Sequence, residues 1–179
     1  MTILTTARLR LIPFDETHLD GLFALNGDPV VMRYITGQPQ TREQTLTYIE
    51  MVKTNWRNYG YSWWSFFEIA TNELVGAGCI QHLARDPANP LEIGWRLKPS
   101  HWHRGFALEA ARAMTAFGFT HTELLYAVCD PENTASAQVM QRLGMTYQGI
   151  QRWYPTDTAT YSLSKEQFAL GMGNTDAVR

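Results

Sequence analysis

The sequence predicts an α/β (α+β) fold, a mixed and mostly antiparallel twisted sheet of about six to seven strands flanked by about four helices. Three observations carry that expectation. Leu9 and Leu11 alternate with Arg8 and Arg10, the period-two signature of a half-buried strand. Two apolar, aromatic-rich runs, 62–70 and 74–83, flank Asn72 like the arms of a hairpin. Residues 91–97, a helix opening near Gly105 and residues 124–129 then read as strand, helix, strand, the unit that adds a parallel pair to an antiparallel sheet.

Each element has its own local warrant. Ala7 to Phe14 is the first strand, with Pro13 at its end or edge. Asp15 caps a helix whose apolar side carries Leu19, Leu22, Phe23 and Leu25, and Asn26-Gly27-Asp28-Pro29 breaks it. Thr41 with Gln44 three residues on has the form of a capping box. Leu46, Ile49, Val52 and Trp56 continue that helix until Gly60. Within the hairpin, Gly76 and Gly78 mark a bulge or a close backbone approach. Asp86 to Pro90 is a loop. In the long helix Ala107, Ala111, Met114 and Gly118 form one close-packing face, and the helical penalty of Gly118 points to tight packing or to the last turn. Asp130 to Asn133 opens a shorter helix with Val139, Met140 and Leu143, which Gly144 ends as a left-handed cap followed by apolar Met145. Residues 145–150 and 158–163 supply the last strands. Residues 1–170 read as a single domain and 171–179 as a frayed polar tail.

Of the 179 residues 45% are hydrophobic and 18% charged, enough apolar material for one core. With a net charge of −2 and no basic run, a nucleic-acid partner is not expected. No apolar stretch is long enough to span a bilayer and no signal peptide is visible, so no membrane partner and a cytoplasmic location are expected. Cys79 and Cys129 each sit in an apolar run, as buried reduced thiols would, and no Cys/His spacing suggests a metal.

The chemistry concentrates in residues 91–108. A strand ends, a short loop crosses, and Arg104-Gly105-Phe106-Ala107 opens a helix. The first helical turn has free backbone N–H groups at the positive end of the dipole, and Gly105 and Ala107 let an anion come close to them. Arg104 and Lys98 add charge. This suits a diphosphate. It is neither a P-loop nor a G-x-G-x-x-G fingerprint; alone it reads equally as a tight helix entry that binds nothing.

The string E-I-G-W-R-L-K-P-S-H-W-H-R-G-F-A-L-E-A-A resembles the acetyl-CoA-binding motif of the GNAT superfamily of N-acetyltransferases, whose loop reads Q/R-x-x-G-x-G/A. Trp102 departs from the usual first residue, as in the branch resembling RimJ/RimL-type enzymes. D-P-E-N-T-A-S-A-Q-V-M-Q-R-L-G-M is similar to that branch's N-x-x-S helix and its L-G-[FM] ending. The resemblance runs from about Leu4 to Glu166.

That resemblance implies a GNAT-like domain that transfers an acetyl group from acetyl-CoA, its co-substrate, to a primary amine of a protein N-terminus or a small molecule. The amine attacks the thioester directly, with no metal. Trp95, Arg96 and Leu97 would pair with the pantetheine arm. His103, Arg104, Gly105, Phe106 and Ala107 would hold the diphosphate, and Asn133 would be an N-cap, a cofactor contact or both. Glu92, placed by alternation on the face opposite Ile93, is the first candidate base, working through water; otherwise it is an exposed carboxylate paired to a neighbouring strand. His82 is its rival. An oxyanion donor is expected among the N–H groups of Gly94–Leu97, with Gly94 marking a strand distortion. Where many members carry a tyrosine this chain has Met140, so Ser136 is the candidate donor to the leaving sulfur, or else a helix-surface serine bonding its own backbone. The missing tyrosine keeps a non-catalytic acetyl-CoA-binding module open. His101 and His103 read as a solvated loop. Of Trp63, Trp64, Phe66 and Phe67, one face should be core and the other should wall the acceptor site. Arg33, Tyr34 and Gly37 fall by analogy in the acceptor region, and a homodimer is compatible with the sequence.

Overall fold

The computed structural model describes residues 1–173. The chain opens with Leu4–Thr5 (β1) and Leu9–Pro13 (β2), then Leu19–Asn26 (α1), Pro29–Met32 (α2) and Arg42–Tyr59 (α3). Trp63–Glu68 (β3), Leu74–His82 (β4) and Leu91–Leu97 (β5) follow, then Phe106–Gly118 (α4), Leu124–Cys129 (β6), Thr134–Leu143 (α5), Thr146–Gln151 (β7), Thr158–Ser164 (β8) and Lys165–Gly173 (α6). The strands form one 8-stranded sheet in the order β1-β2-β3-β4-β5-β6-β8-β7, with β5 and β6 its parallel neighbours. The class is the expected one. Two-residue β1 and one-turn α2 are too short to imprint a period on the sequence, which accounts for part of the larger element count. The last helix runs to Gly173; the rest of the tail expected to fray lies outside the described residues.

Local chemistry explains the boundaries. Asp15 accepts the Thr17 N–H and opens a single 3-10 turn that leads into α1. Thr41 and Gln44 satisfy each other's backbone N–H groups, completing the capping box of α3. Gly60 and Gly144 end their helices with φ of 77° and 92°. The Gly144 N–H bonds the Gln141 carbonyl and the Met145 N–H bonds that of Met140, the paired bonds of a Schellman ending.

The core sits on both faces of the sheet. Gly76 and Gly78 show both behaviours open to them. Phe66 pairs with Gly76 and Phe67 with Leu74, so Val75 is an extra, bulged residue whose carbonyl takes the Lys98 N–H at 2.8 Å. A Cβ on Gly76 would collide with Leu97, and one on Gly78 would stand 2.5 Å from Phe66 and 2.7 Å from Met114. Buried Ala110, Ala111, Met114 and Gly118 bring α4 onto that side, where a Cβ on Gly118 would meet Leu125 at 2.9 Å. Gly118 is thus both tightly packed and the last residue of its helix. On the opposite face α1 approaches β4 closely enough that a Cβ on Gly21 would lie 2.9 Å from Leu74.

Candidate active site

β5 pairs with β4 along its whole length, from Leu91↔His82 to Leu97↔Gly76, but meets β6 at one register position, Glu92↔Tyr126. Beyond it the two parallel strands part. Gly94 sits in regular register opposite Cys79, so the distortion expected there is absent; a Cβ on it would stand 3.3 Å from Cys79 Sγ, and close packing is its role. The departure from sheet geometry is the parting itself, which leaves one edge of β5 without a strand beside it among the described residues.

A cavity of about 700 Å³ occupies the gap. Pairing Glu92 with Gln81, Gly94 with Cys79 and Arg96 with Ala77 puts Glu92, Gly94 and Arg96 on one face, together with Trp63. Ile93, Trp95 and Leu97 face the other way. The lining includes residues of both sets, with Val128, Ser136 and Met140, so the cavity passes through the sheet. Trp63 walls it, while Trp64 and Phe66 on the opposite face are fully buried. Arg33, Tyr34 and Gly37 line its mouth.

Glu92 is not the exposed surface carboxylate of the alternative reading: it is 5% exposed and lines the cavity. Gln81 Nε2 donates to Glu92 Oε1 at 2.8 Å, and the Tyr154 hydroxyl donates to the same oxygen. The Trp63 indole N–H, a donor only, bonds Gln81 Oε1 at 2.9 Å and thereby turns the Gln81 amide nitrogen toward Glu92. Burial pushes the Glu92 carboxyl up to about 7, against the two hydrogen bonds and the charge of Arg85, which favour its ionised form. A carboxyl poised there exchanges protons near neutrality.

Asn133 caps α5, its Oδ1 accepting the Ser136 N–H at 3.1 Å. Ser136 is half-buried on the cavity wall, and its hydroxyl meets no protein partner among the described residues. Met140 lines the same wall.

At the entry to α4 the backbone turns left-handed at His103 (φ 59°) and Gly105 (φ 80°). No side chain caps the helix, and among the described residues no protein acceptor meets the N–H of Arg104, Gly105, Phe106 or Ala107. The neighbouring cations are already engaged. Arg104 pairs with Glu68 at 3.2 Å, Lys98 with Glu73 at 2.8 Å, and Arg8 with Glu109 at 2.6 Å. The positive character left for an anion therefore comes mainly from the amides and the helix end. This entry is not part of the cavity wall; it lies further along the chain, past β5 and its loop. The Trp102 indole fixes that loop by donating to the Leu97 carbonyl at 2.9 Å.

His82 turns away from the cavity. Its Nε2 meets the Tyr61 hydroxyl at 3.0 Å and its Nδ1 the Asn89 carbonyl at 2.7 Å, so both ring nitrogens are taken. His101 is buried beside Glu68, while His103 is exposed. The Arg96 side chain points to Asn26 and Trp63. Cys79 and Cys129 are free, buried thiols. Sequence reasoning missed Tyr154, Gln81 and Asn26; nothing local marks Tyr154, which arrives from the loop between β7 and β8.

A parallel pair parted over a cavity, with an uncapped helix entry beyond one strand and a buried carboxylate on it, defines a mixed α/β fold with a candidate active site where β5 and β6 separate. The chain belongs to the GNAT acetyltransferases: the family model described as Acetyltransferase (GNAT) domain matches residues 8–146. YkkB of Bacillus subtilis (strain 168) is 34% identical over 156 residues, 85% of this chain and 90% of that protein. A GNAT-family acetyltransferase from Bacillus anthracis superposes with a TM-score of 0.77 at 26% identity, covering 92% of this chain and 99% of that one. RimL, a ribosomal-protein α-N-acetyltransferase solved in complex with coenzyme A, shares the fold with a TM-score of 0.77 at 20% identity, over 91% and 98% of the two chains.

Proposed function

We propose that this acetyltransferase moves an acetyl group from acetyl-CoA to a primary amine, on a protein N-terminus or a small molecule, by direct attack of the amine on the thioester. The observation that carries the proposal is Glu92, buried at the point where β5 leaves β6, with its carboxyl near 7 and facing the cavity. A primary amine arrives largely protonated at neutral pH, and only its neutral form attacks. Glu92 takes that proton, directly or through a water. Bound acetyl-CoA supplies the activated acyl carbon and the thiolate leaving group.

The free amides of Arg104 to Ala107 support a diphosphate site, with His103 in the same turn. The unpaired edge of β5 supports backbone contacts from Trp95 and Leu97, which flank Arg96, to the pantetheine arm, and an N–H of Gly94–Leu97 as donor to the carbonyl oxygen as it gains charge. Asn133 has its amide nitrogen left for a cofactor contact. What supports Ser136 as donor to the departing sulfur is its unpartnered hydroxyl on the cavity wall.

Met140 favours a second reading, a non-catalytic acetyl-CoA-binding module. Glu92 weighs against it: a buried carboxyl held near neutrality costs stability, and a passive binder gains nothing from it. A panel of primary amines assayed with acetyl-CoA for free-thiol release, with acetylated product identified by mass, tests the proposal. Turnover of at least one amine is expected. Acetyl-CoA binding without turnover of any amine supports the second reading and refutes the first.

A further inference from the structure

Resting on that reading, we infer that the acceptor is an amino-carboxylate, its carboxylate bound by Arg96 with Arg85 beside it. Arg96 is 8% exposed and lines the cavity. Its Nε donates to Asn26 Oδ1 at 2.9 Å, and Asn26 is neutral. Neither terminal nitrogen of the guanidinium has a protein hydrogen-bond acceptor among the described residues, and no carboxylate there pairs with it. Trp63 stacks against it at 4.4 Å, which orients the guanidinium plane without neutralising it. A buried cation without a counter-ion is unfavourable, and Arg85 nearby adds a like charge. An anion that arrives with the substrate removes both penalties and matches the forked donors of arginine.

The surroundings hold that donor set in place. Asn26 is fully buried and its Nδ2 bonds Gln40 Oε1 at 3.1 Å, so its oxygen is the atom turned to Arg96. Arg85 also lines the cavity, with no acidic partner among the described residues; it and Ala84 adopt left-handed backbone, φ 59° and 55°. Strain of that kind in non-glycine residues persists where the surroundings enforce it. The exposed Arg33 adds a third cation at the mouth. The acidic residues of the wall are Glu92 and Asp130, and Asp130 is engaged by the Glu132 N–H at 2.8 Å.

Glu92 and Arg96 lie on one face of β5 with Gly94 between them, so no side chain fills the floor between proton acceptor and guanidinium. An amine at Glu92 and a carboxylate at Arg96 use both ends of that floor.

The test compares matched acceptors, each an amino acid with its carboxamide and its decarboxylated amine, by kcat/KM for thiol release with acetyl-CoA. The acid is expected to be preferred about 100-fold, mainly through KM. Arg96→Gln should bring the ratio toward one, and Arg85→Gln should lower it in part. If Arg96→Gln does not fold, the wild-type ratios and Arg85→Gln decide. Equal turnover of acid and carboxamide would overturn the inference and leave the N-acetyltransferase reading standing; no turnover of any amine would overturn both.

Discussion

The Tyr154 hydroxyl donates to Glu92 Oε1, joining residues 62 positions apart across the cavity. Gln81 donates to the same oxygen, so Oε2 is left without a protein hydrogen-bond donor among the described residues. The carboxyl therefore has one oxygen that fixes its position and one free to exchange a proton.

Tyr154→Phe removes one of two donors that favour the carboxylate. The Glu92 carboxyl, near 7 in the native chain, should move up by about one pH unit, since a hydrogen bond to a charged group is worth about 1.5–3 kcal/mol. The alkaline shift should appear in the pH dependence of kcat/KM, with activity recovering at high pH. An unshifted profile would separate Tyr154 from the base.

Glu92→Gln should stabilise the fold above neutrality. The carboxyl sits at about 7 in the native chain against 4.5 ordinarily, so between those values the native state binds more protons than the unfolded one. Stability then falls as pH rises through that window. Removing the charge should raise stability on the order of 2 kcal/mol at pH 8 and leave it nearly unchanged at pH 4.5. Thermal melts at the two pH values check the difference.

Gly78→Ala probes the packing of α4 on the sheet. Its Cβ would lie 2.5 Å from Phe66, 2.7 Å from Met114 and 2.8 Å from the Gly94 carbonyl oxygen. A loss of about 2–3 kcal/mol is expected in chemical denaturation, because the carbonyl cannot retreat without disturbing the β4–β5 ladder.

Much of this was legible locally. The capping box at Thr41, the left-handed ending at Gly144 and the strands around Leu9, Phe66 and Ile93 are set by residues within a few positions of one another, so sequence patterns find them. The uncapped entry at Gly105 was legible for the same reason. What the sequence hid depends on distant partners. Tyr154 on Glu92, Asn26 on Arg96 and Glu68 on Arg104 are contacts made by the sheet order, including the insertion of β8 between β6 and β7. Alternation gave the face of Glu92 but not its burial, because burial depends on which loop covers that face. His82 stood as the rival to Glu92 for the base because no local pattern reveals that Tyr61 and Asn89 take its ring nitrogens.

Gly105→Ala places a Cβ at φ 80°, which costs about 1 kcal/mol and disturbs the amides that follow. Acetyl-CoA affinity by calorimetry should weaken about tenfold, whereas Glu92→Gln should bind acetyl-CoA like the native chain. Unchanged affinity in Gly105→Ala would place the diphosphate elsewhere.

The most direct measurement is the pH–rate profile of kcat/KM on an active amine for the native chain and Glu92→Gln. The native profile should rise through a break near 7, since Glu92 must be ionised to take the proton, and the variant should lose that break together with at least about 100-fold in rate. A variant as fast as the native chain, with the break intact, would contradict the assignment of Glu92 as the base.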